Sequence, residues 1–167
     1  MDANIWIFSR PIRSGKTTAL MRWAQNRKDV GGFLVPDDQH LRKLLTLKDR
    51  KWYDFEVPAE SVSQLKPKDL VCISRFNFYR STFDLAQKIL FKDMERGLAW
   101  IVVDEVGKLE MKGMGLEPAL GQVIDLFTKR PKTENLLLVV RHELLDSVIE
   151  RHKLENYQVV ENLNSLG

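Results

Sequence analysis

Residues 4–8, 70–74, 99–103 and 136–140 are apolar runs that do not alternate with polar positions. Runs of this kind suit strands covered on both faces, as in a parallel sheet lying between helices. The segments between them have a helical period. Ala19, Leu20, Trp23 and Ala24 share one face over residues 15–28, and Phe83, Ala86, Leu90 and Met94 share one over 81–96. Leu120, Val123, Ile124 and Phe127 do so over 117–128, as do Leu144, Leu145, Val148 and Ile149 over 143–151. The second of these helices is expected to begin at a capping box, Ser81 to Asp84, with aspartate in the usual glutamate place. Gly97 closes it, and Pro118 falls in the first turn of the third. A last short strand is expected over 157–160.

Residues 31–66 have a different texture. A short strand over 33–35 stops at Pro36-Asp37-Asp38, residues 41–47 fit a helical turn or a strand, and residues 51–57 alternate like a half-exposed strand. The expectation is a small antiparallel excursion at one edge of the main sheet, with Arg42, Lys43, Lys48, Arg50 and Lys51 on its solvated face. Strands alternating with helices need crossover connections, so the chain reads as α/β with a doubly wound, mostly parallel sheet. Its 167 residues are expected to form one domain.

Composition narrows the class without redirecting it. Twenty-six basic against 23 acidic residues leave a formal charge of +3, spread along the chain. General nucleic-acid attraction is therefore not indicated, and neither is a protein partner. One cysteine, Cys72, rules out an internal disulfide. The apolar stretch at the N-terminus is too short for a signal peptide, and no run of about 18 apolar residues is present to span a bilayer. A soluble, cytoplasmic protein is the expectation.

The chemistry gathers where strands end. After the strand at 4–8 comes Ser9-Arg10-Pro11-Ile12-Arg13-Ser14-Gly15-Lys16-Thr17-Thr18, a tight loop and a helix start. The first N–H groups of a helix have no partners within it, and its dipole adds about half a positive charge there, so a phosphate chain settles on Ser14 to Thr18. Lys16 would reach the β- and γ-phosphates, and Thr17 would place its hydroxyl on Mg²⁺. The first glycine of the usual pattern is Arg10 here. Pro11 biases Arg10 towards extended dihedrals, which weakens the need for glycine. Arg10 and Arg13 either touch phosphate oxygens or point into solvent. Asp104 and Glu105 close the strand at 99–103, and neighbouring strand residues point to opposite sides. One carboxylate can therefore serve the metal while the other takes a proton from an attacking water. Arg141, directly after the strand at 136–140, is a candidate to sense the γ-phosphate or stabilise transition-state charge, with Arg75 and Arg80 behind it. His40, His142 and His152 show no metal-ligand spacing. Phe76, Phe78 and Tyr79 suit either a core or a base-stacking surface.

Val103-Asp104-Glu105-Val106-Gly107-Lys108-Leu109-Glu110, with Gly15-Lys16-Thr17-Thr18 and Gly31-Gly32-Phe33, resembles the small nucleoside-triphosphatases related to the human cancer-related nucleoside-triphosphatase and its thermophilic homologues. The likeness covers nearly the whole chain, and its two nucleotide motifs are the sharp part. It implies a RecA-like P-loop core with a small antiparallel insertion, Mg²⁺ dependence, and hydrolysis of several nucleoside triphosphates to diphosphates. By matching motif, Lys16 takes the phosphate role, Thr17 and Asp104 the magnesium role, and Glu105 the water-activating role. The family's phosphate loop is glycine-rich where this chain has Arg10 and Arg13, and its Asn-Arg near the C-terminus is Asn162-Leu163 here. Arg13 to Lys16 also resembles adenosylcobinamide kinases, which keeps phosphoryl transfer to an acceptor open. A nucleotide-binding switch with little turnover is a further alternative.

Overall fold

The apolar runs at 4–8, 99–103 and 136–140 become three adjacent central strands of one sheet. A computed structural model describes residues 3–11 and 14–167. In chain order, β1 (Ile5–Arg10) leads through the phosphate-loop region into α1 (Lys16–Ala24), then β2 (Val30–Leu34), β3 (Asp37–Asp38), β4 (Leu41–Thr46) and β5 (Trp52–Asp54). After two 3₁₀ turns come β6 (Leu70–Ile73), β7 (Phe76–Tyr79), α2 (Arg80–Met94) and β8 (Trp100–Val106). The chain closes with α3 (Lys108–Met111), α4 (Ala119–Phe127), β9 (Asn135–Arg141), α5 (Leu145–Arg151), β10 (Gln158–Val160) and a 3₁₀ turn at Leu163–Leu166.

The main sheet has eight strands in the order β10-β1-β9-β8-β2-β4-β3, with β5 also paired to β4. Its first five strands are parallel, and the β4 pairings are antiparallel. This is the doubly wound, mostly parallel arrangement with an antiparallel edge. Alternation along β1 explains why both faces are dry. Ile5 and Ile7 belong to the core under α2, α4 and α5, while Phe8 belongs to the core under α1 and the C-terminal turn, where Trp6 packs as well. Trp100 stands at the centre of that second layer, 6.0 Å from the Trp6 ring and 5.5 Å from the Trp23 ring.

Gly32 shows how tightly the central strands meet. Its φ is +84°, and a Cβ there would lie 2.0 Å from the Val102 carbonyl oxygen, so no side chain fits between β2 and β8. Its N–H donates to the buried Asp93 carboxylate at 2.8 Å, which ties β2 to the end of α2. Burial raises the Asp93 pKa, opposed by that hydrogen bond.

Several local expectations change. The run at 70–74 is not a strand of the main sheet: β6 and β7 form an antiparallel two-stranded hairpin, and β7 is bridged in turn to residues 55–57 through Glu56 and Phe78. Phe78 seats this hairpin in the core, 4.9 Å from Phe55 and 6.1 Å from Phe83. Residues 41–47 resolve as strand β4. The capping box at Ser81 is not formed. Helix α2 begins at Arg80 with no side-chain cap, and the Thr82 hydroxyl donates to the Asp54 carbonyl at 2.6 Å, anchoring the first turn to β5 instead. Arg80 is likewise structural, donating to the carbonyls of Lys68 and Leu70 at 2.8 and 3.0 Å. Among the described residues, no helix is long and apolar enough to cross a membrane.

Candidate active site

The parallel strands β1, β8 and β9 bring their carboxyl ends to one sheet edge, where ligands of doubly wound folds bind. Gly15 lies at the cap of α1 in the left-handed region, φ +78° and ψ 26°. Among the described residues, nothing lies within 4 Å of the place a Cβ would take. Backbone conformation, not crowding by the described residues, therefore calls for glycine here. Among the described residues no side chain caps α1, and its first turn holds no acid, so the amides at Gly15 to Thr18 present positive ends that these residues do not neutralise. Arg13 lies outside the described residues.

Lys16 reaches back over the loop. Its ammonium donates to the carbonyls of Arg10 at 3.2 Å and Pro11 at 3.3 Å. Burial lowers its pKa against the upward pull of Asp104 and Glu105, and Arg141 adds to the lowering. Arg141 thus acts on Lys16 from the end of β9, where it stands in register with Arg10 of β1. Arg10 lies over the Phe8 ring at 5.5 Å.

Asp104 is 2% exposed. Its Oδ2 accepts from the Val35 N–H at 2.9 Å and from the Thr17 hydroxyl at 3.4 Å, and its Oδ1 accepts from the Glu105 N–H at 2.8 Å. The long Thr17 bond joins the start of α1 to the end of β8. Burial and the neighbouring Glu105 charge raise the Asp104 pKa to about 7 against these three hydrogen bonds. Glu105 turns the other way, with its side chain 35% exposed and its Oε2 3.3 Å from Arg42 Nη1. Simple alternation is not the whole cause of this divergence. The β8–β9 register shifts between Val103 and Val106, and Glu105 has φ +59°, so a bulge aims the two carboxylates apart.

Beyond the bulge, Glu110 holds the loop in place. One carboxylate oxygen accepts from Gly107 N–H at 2.8 Å and the other from Leu116 N–H at 3.1 Å. Burial raises its pKa to about 7.

Proton linkage follows from these two carboxyls. Each binds its proton more tightly in the folded chain than in the unfolded one. Their favourable contribution is complete below about pH 4, declines as pH rises, and is lost above about 7. Asp104→Asn carries a fixed cost, because its amide nitrogen cannot accept from the Val35 or Glu105 N–H, but in the nucleotide-free and metal-free protein its effect on stability should be more favourable at pH 8 than near pH 4 by on the order of 1–3 kcal/mol. Urea unfolding at the two pH values measures this. Comparing the variant with the wild type separates Asp104 from His152, which burial pushes down and which titrates in the opposite sense.

Sequence reasoning missed Arg42. By sequence it belongs with the solvated charges of the excursion, yet the fold points it at Glu105. Its guanidinium also lies 5.5 Å from the Phe76 ring and 5.8 Å from the Phe78 ring. The spacing of Phe76 and Phe78 on one face of a strand is the only trace of this in the sequence. Arg75 sits over Phe76 at 5.0 Å and is exposed. Among the described residues, no group of three or more His, Cys, Asp or Glu could hold a metal by itself. The oxygen donors of Thr17 and Asp104 do suit a hard cation that takes its other ligands from phosphate and water. A cavity of about 440 Å³ beside Gln25, Arg27, Val30, Lys48 and Arg50 lies at the opposite edge of the strands. There Arg50 donates to the Ala24 carbonyl and Lys48 to that of Lys28, which caps the end of α1 and explains the basic residues.

The sheet order, the uncapped helix after β1 and the acids closing β8 define a P-loop NTPase-like fold. Among solved structures, the chain is similar to the crystal structure of THEP1 from the hyperthermophile Aquifex aeolicus, with a TM-score of 0.66 at 18% identity over 94% of this chain and 88% of that one. No protein-family model matches the sequence, and no curated protein does.

Proposed function

We propose that this chain is a nucleoside-triphosphatase that cleaves the β,γ bond of ATP, GTP and other triphosphates in the presence of Mg²⁺. One observation carries the reading: the Thr17 hydroxyl meets the buried Asp104 carboxylate, so the helix start and the acid pair border one space. In the proposal, the amides of Ser14 to Thr18 and the Lys16 ammonium hold the phosphates, with Arg13 from the same loop. Thr17 and Asp104 hold the Mg²⁺ ion, which when bound neutralises phosphate charge. Glu105 accepts the proton of the attacking water as oxygen bonds to the γ-phosphorus and the bond to the β-bridging oxygen breaks. Arg141 stabilises the charge that develops. The motif Val103 to Glu110 supports membership of the small nucleoside-triphosphatases named above, working as one cytoplasmic domain.

A second reading, phosphoryl transfer to a small acceptor, has one observation in its favour. A cavity of about 320 Å³ lined by Glu56, Val62, Arg75, Phe76 and Asn77 includes Phe76, whose ring lies 5.5 Å from the Arg42 guanidinium that pairs with Glu105. Product analysis separates the two. Incubation with ATP, GTP, CTP or UTP and Mg²⁺ should yield diphosphate and free phosphate in equal amounts with no acceptor added. Turnover that appears only when a small-molecule extract is supplied would replace the hydrolase by the kinase.

A further inference from the structure

The excursion between β2 and β6 sends one charged side chain into the proposed active site, and that side chain is held at both ends. On the backbone side, Arg42 stands opposite Asp37 in the β3–β4 pairing, and its carbonyl accepts from the Glu56 N–H at 3.0 Å. At its tip the guanidinium lies near the Phe76 and Phe78 rings, and its side chain is only 23% exposed. Phe78 is itself 3% exposed and packed on Phe55 and Phe83, so the arginine leans on core.

Glu105 has the opposite character. It stands at a bulge with a left-handed backbone, and its side chain is about a third exposed. Among the described residues, Arg42 is the only charged side chain paired with it. A carboxylate in that setting would otherwise sample several rotamers, whereas a base must stay within a few tenths of an ångström of its productive position.

From these observations we infer that Arg42 is a positioning residue: it fixes the Glu105 carboxylate through the 3.3 Å ion pair, and so makes the antiparallel insertion part of the hydrolytic site. The inference rests on the reading of Glu105 as the base. A partly exposed pair of this kind contributes only modestly to folding, so its main effect is expressed in rate. Guanidinium geometry matters because its plane, set near the Phe76 and Phe78 rings, fixes the direction of the single Nη1 contact, which a lysine ammonium does less well.

The test compares Arg42→Ala, Arg42→Lys and Glu105→Gln, alone and combined, using phosphate release from Mg·ATP and the Kd of a non-hydrolysable ATP analogue. Arg42→Ala should lower kcat about 10- to 100-fold and leave Kd within about twofold. Arg42→Lys should recover part of the loss, and added guanidinium ion should partly rescue the alanine variant. In the Glu105→Gln background, Arg42→Ala should cost nothing further. Unchanged or faster turnover in Arg42→Ala, with Glu105→Gln inactive, overturns the inference and leaves the hydrolase reading intact. An equal loss in kcat and affinity assigns Arg42 to nucleotide binding and overturns it too. If the wild type releases no phosphate, both the reading and the inference fall.

Discussion

Lys16→Ala should weaken binding of Mg·ATP by on the order of a hundredfold, and turnover should fall with it. The ammonium stands at the start of α1, the single described cation that also touches the loop carbonyls of Arg10 and Pro11. A hydrogen bond between charged groups is worth about 1.5–3 kcal/mol, and Lys16 is proposed to contact two phosphates, which together give roughly two powers of ten or more. The fold should survive. Burial already opposes the Lys16 charge, so its removal relieves desolvation while it loses two carbonyl contacts. Calorimetric titration of nucleotide, paired with thermal unfolding, tests this. A variant that keeps full affinity places the phosphates elsewhere.

Glu105→Gln should separate binding from chemistry. Loss of a general base costs about 10²–10⁴ in kcat, and the isosteric amide leaves the phosphate contacts alone, so Kd should change less than about threefold. The backbone supports this use of the variant. Glutamine can follow the left-handed φ of +59° as glutamate does, and the amides of Val35 and Glu105 that hold Asp104 are untouched. Breaking the pair with Arg42 costs at most about 1 kcal/mol of stability, since both side chains are partly exposed. Single-turnover phosphate release beside analogue binding measures both quantities. Equal rates in the variant and the wild type remove Glu105 from the chemistry.

What the sequence makes legible follows from how local each cause is. Strands β1, β8 and β9 are covered on both faces over residues 5–8, 100–103 and 136–140, so those stretches are apolar and can be read without knowing their neighbours. The same rule misplaced β6. Leu70 and Val71 are as buried as a central strand requires, but against a hairpin partner and not the main sheet, and nothing in a four-residue run distinguishes the two. At α2 the Ser81–Asp84 pattern lost to a tertiary contact, the Thr82 bond to Asp54, which the local sequence does not encode. Asp104 and Glu105 could be singled out because they interrupt an apolar run, whereas the bulge that turns them apart is a matter of register with β9. Arg42 was beyond reach because Glu105, Phe76 and Phe78 approach it from two distant segments, and only the folded insertion brings them together.

The claim that this site hydrolyses nucleoside triphosphates is tested most directly by steady-state phosphate release from ATP by the wild-type protein, with Mg²⁺ and with chelator. The account predicts linear release through many turnovers with Mg²⁺ and none with chelator. Nucleotide that binds with Mg²⁺ but is recovered intact would contradict it.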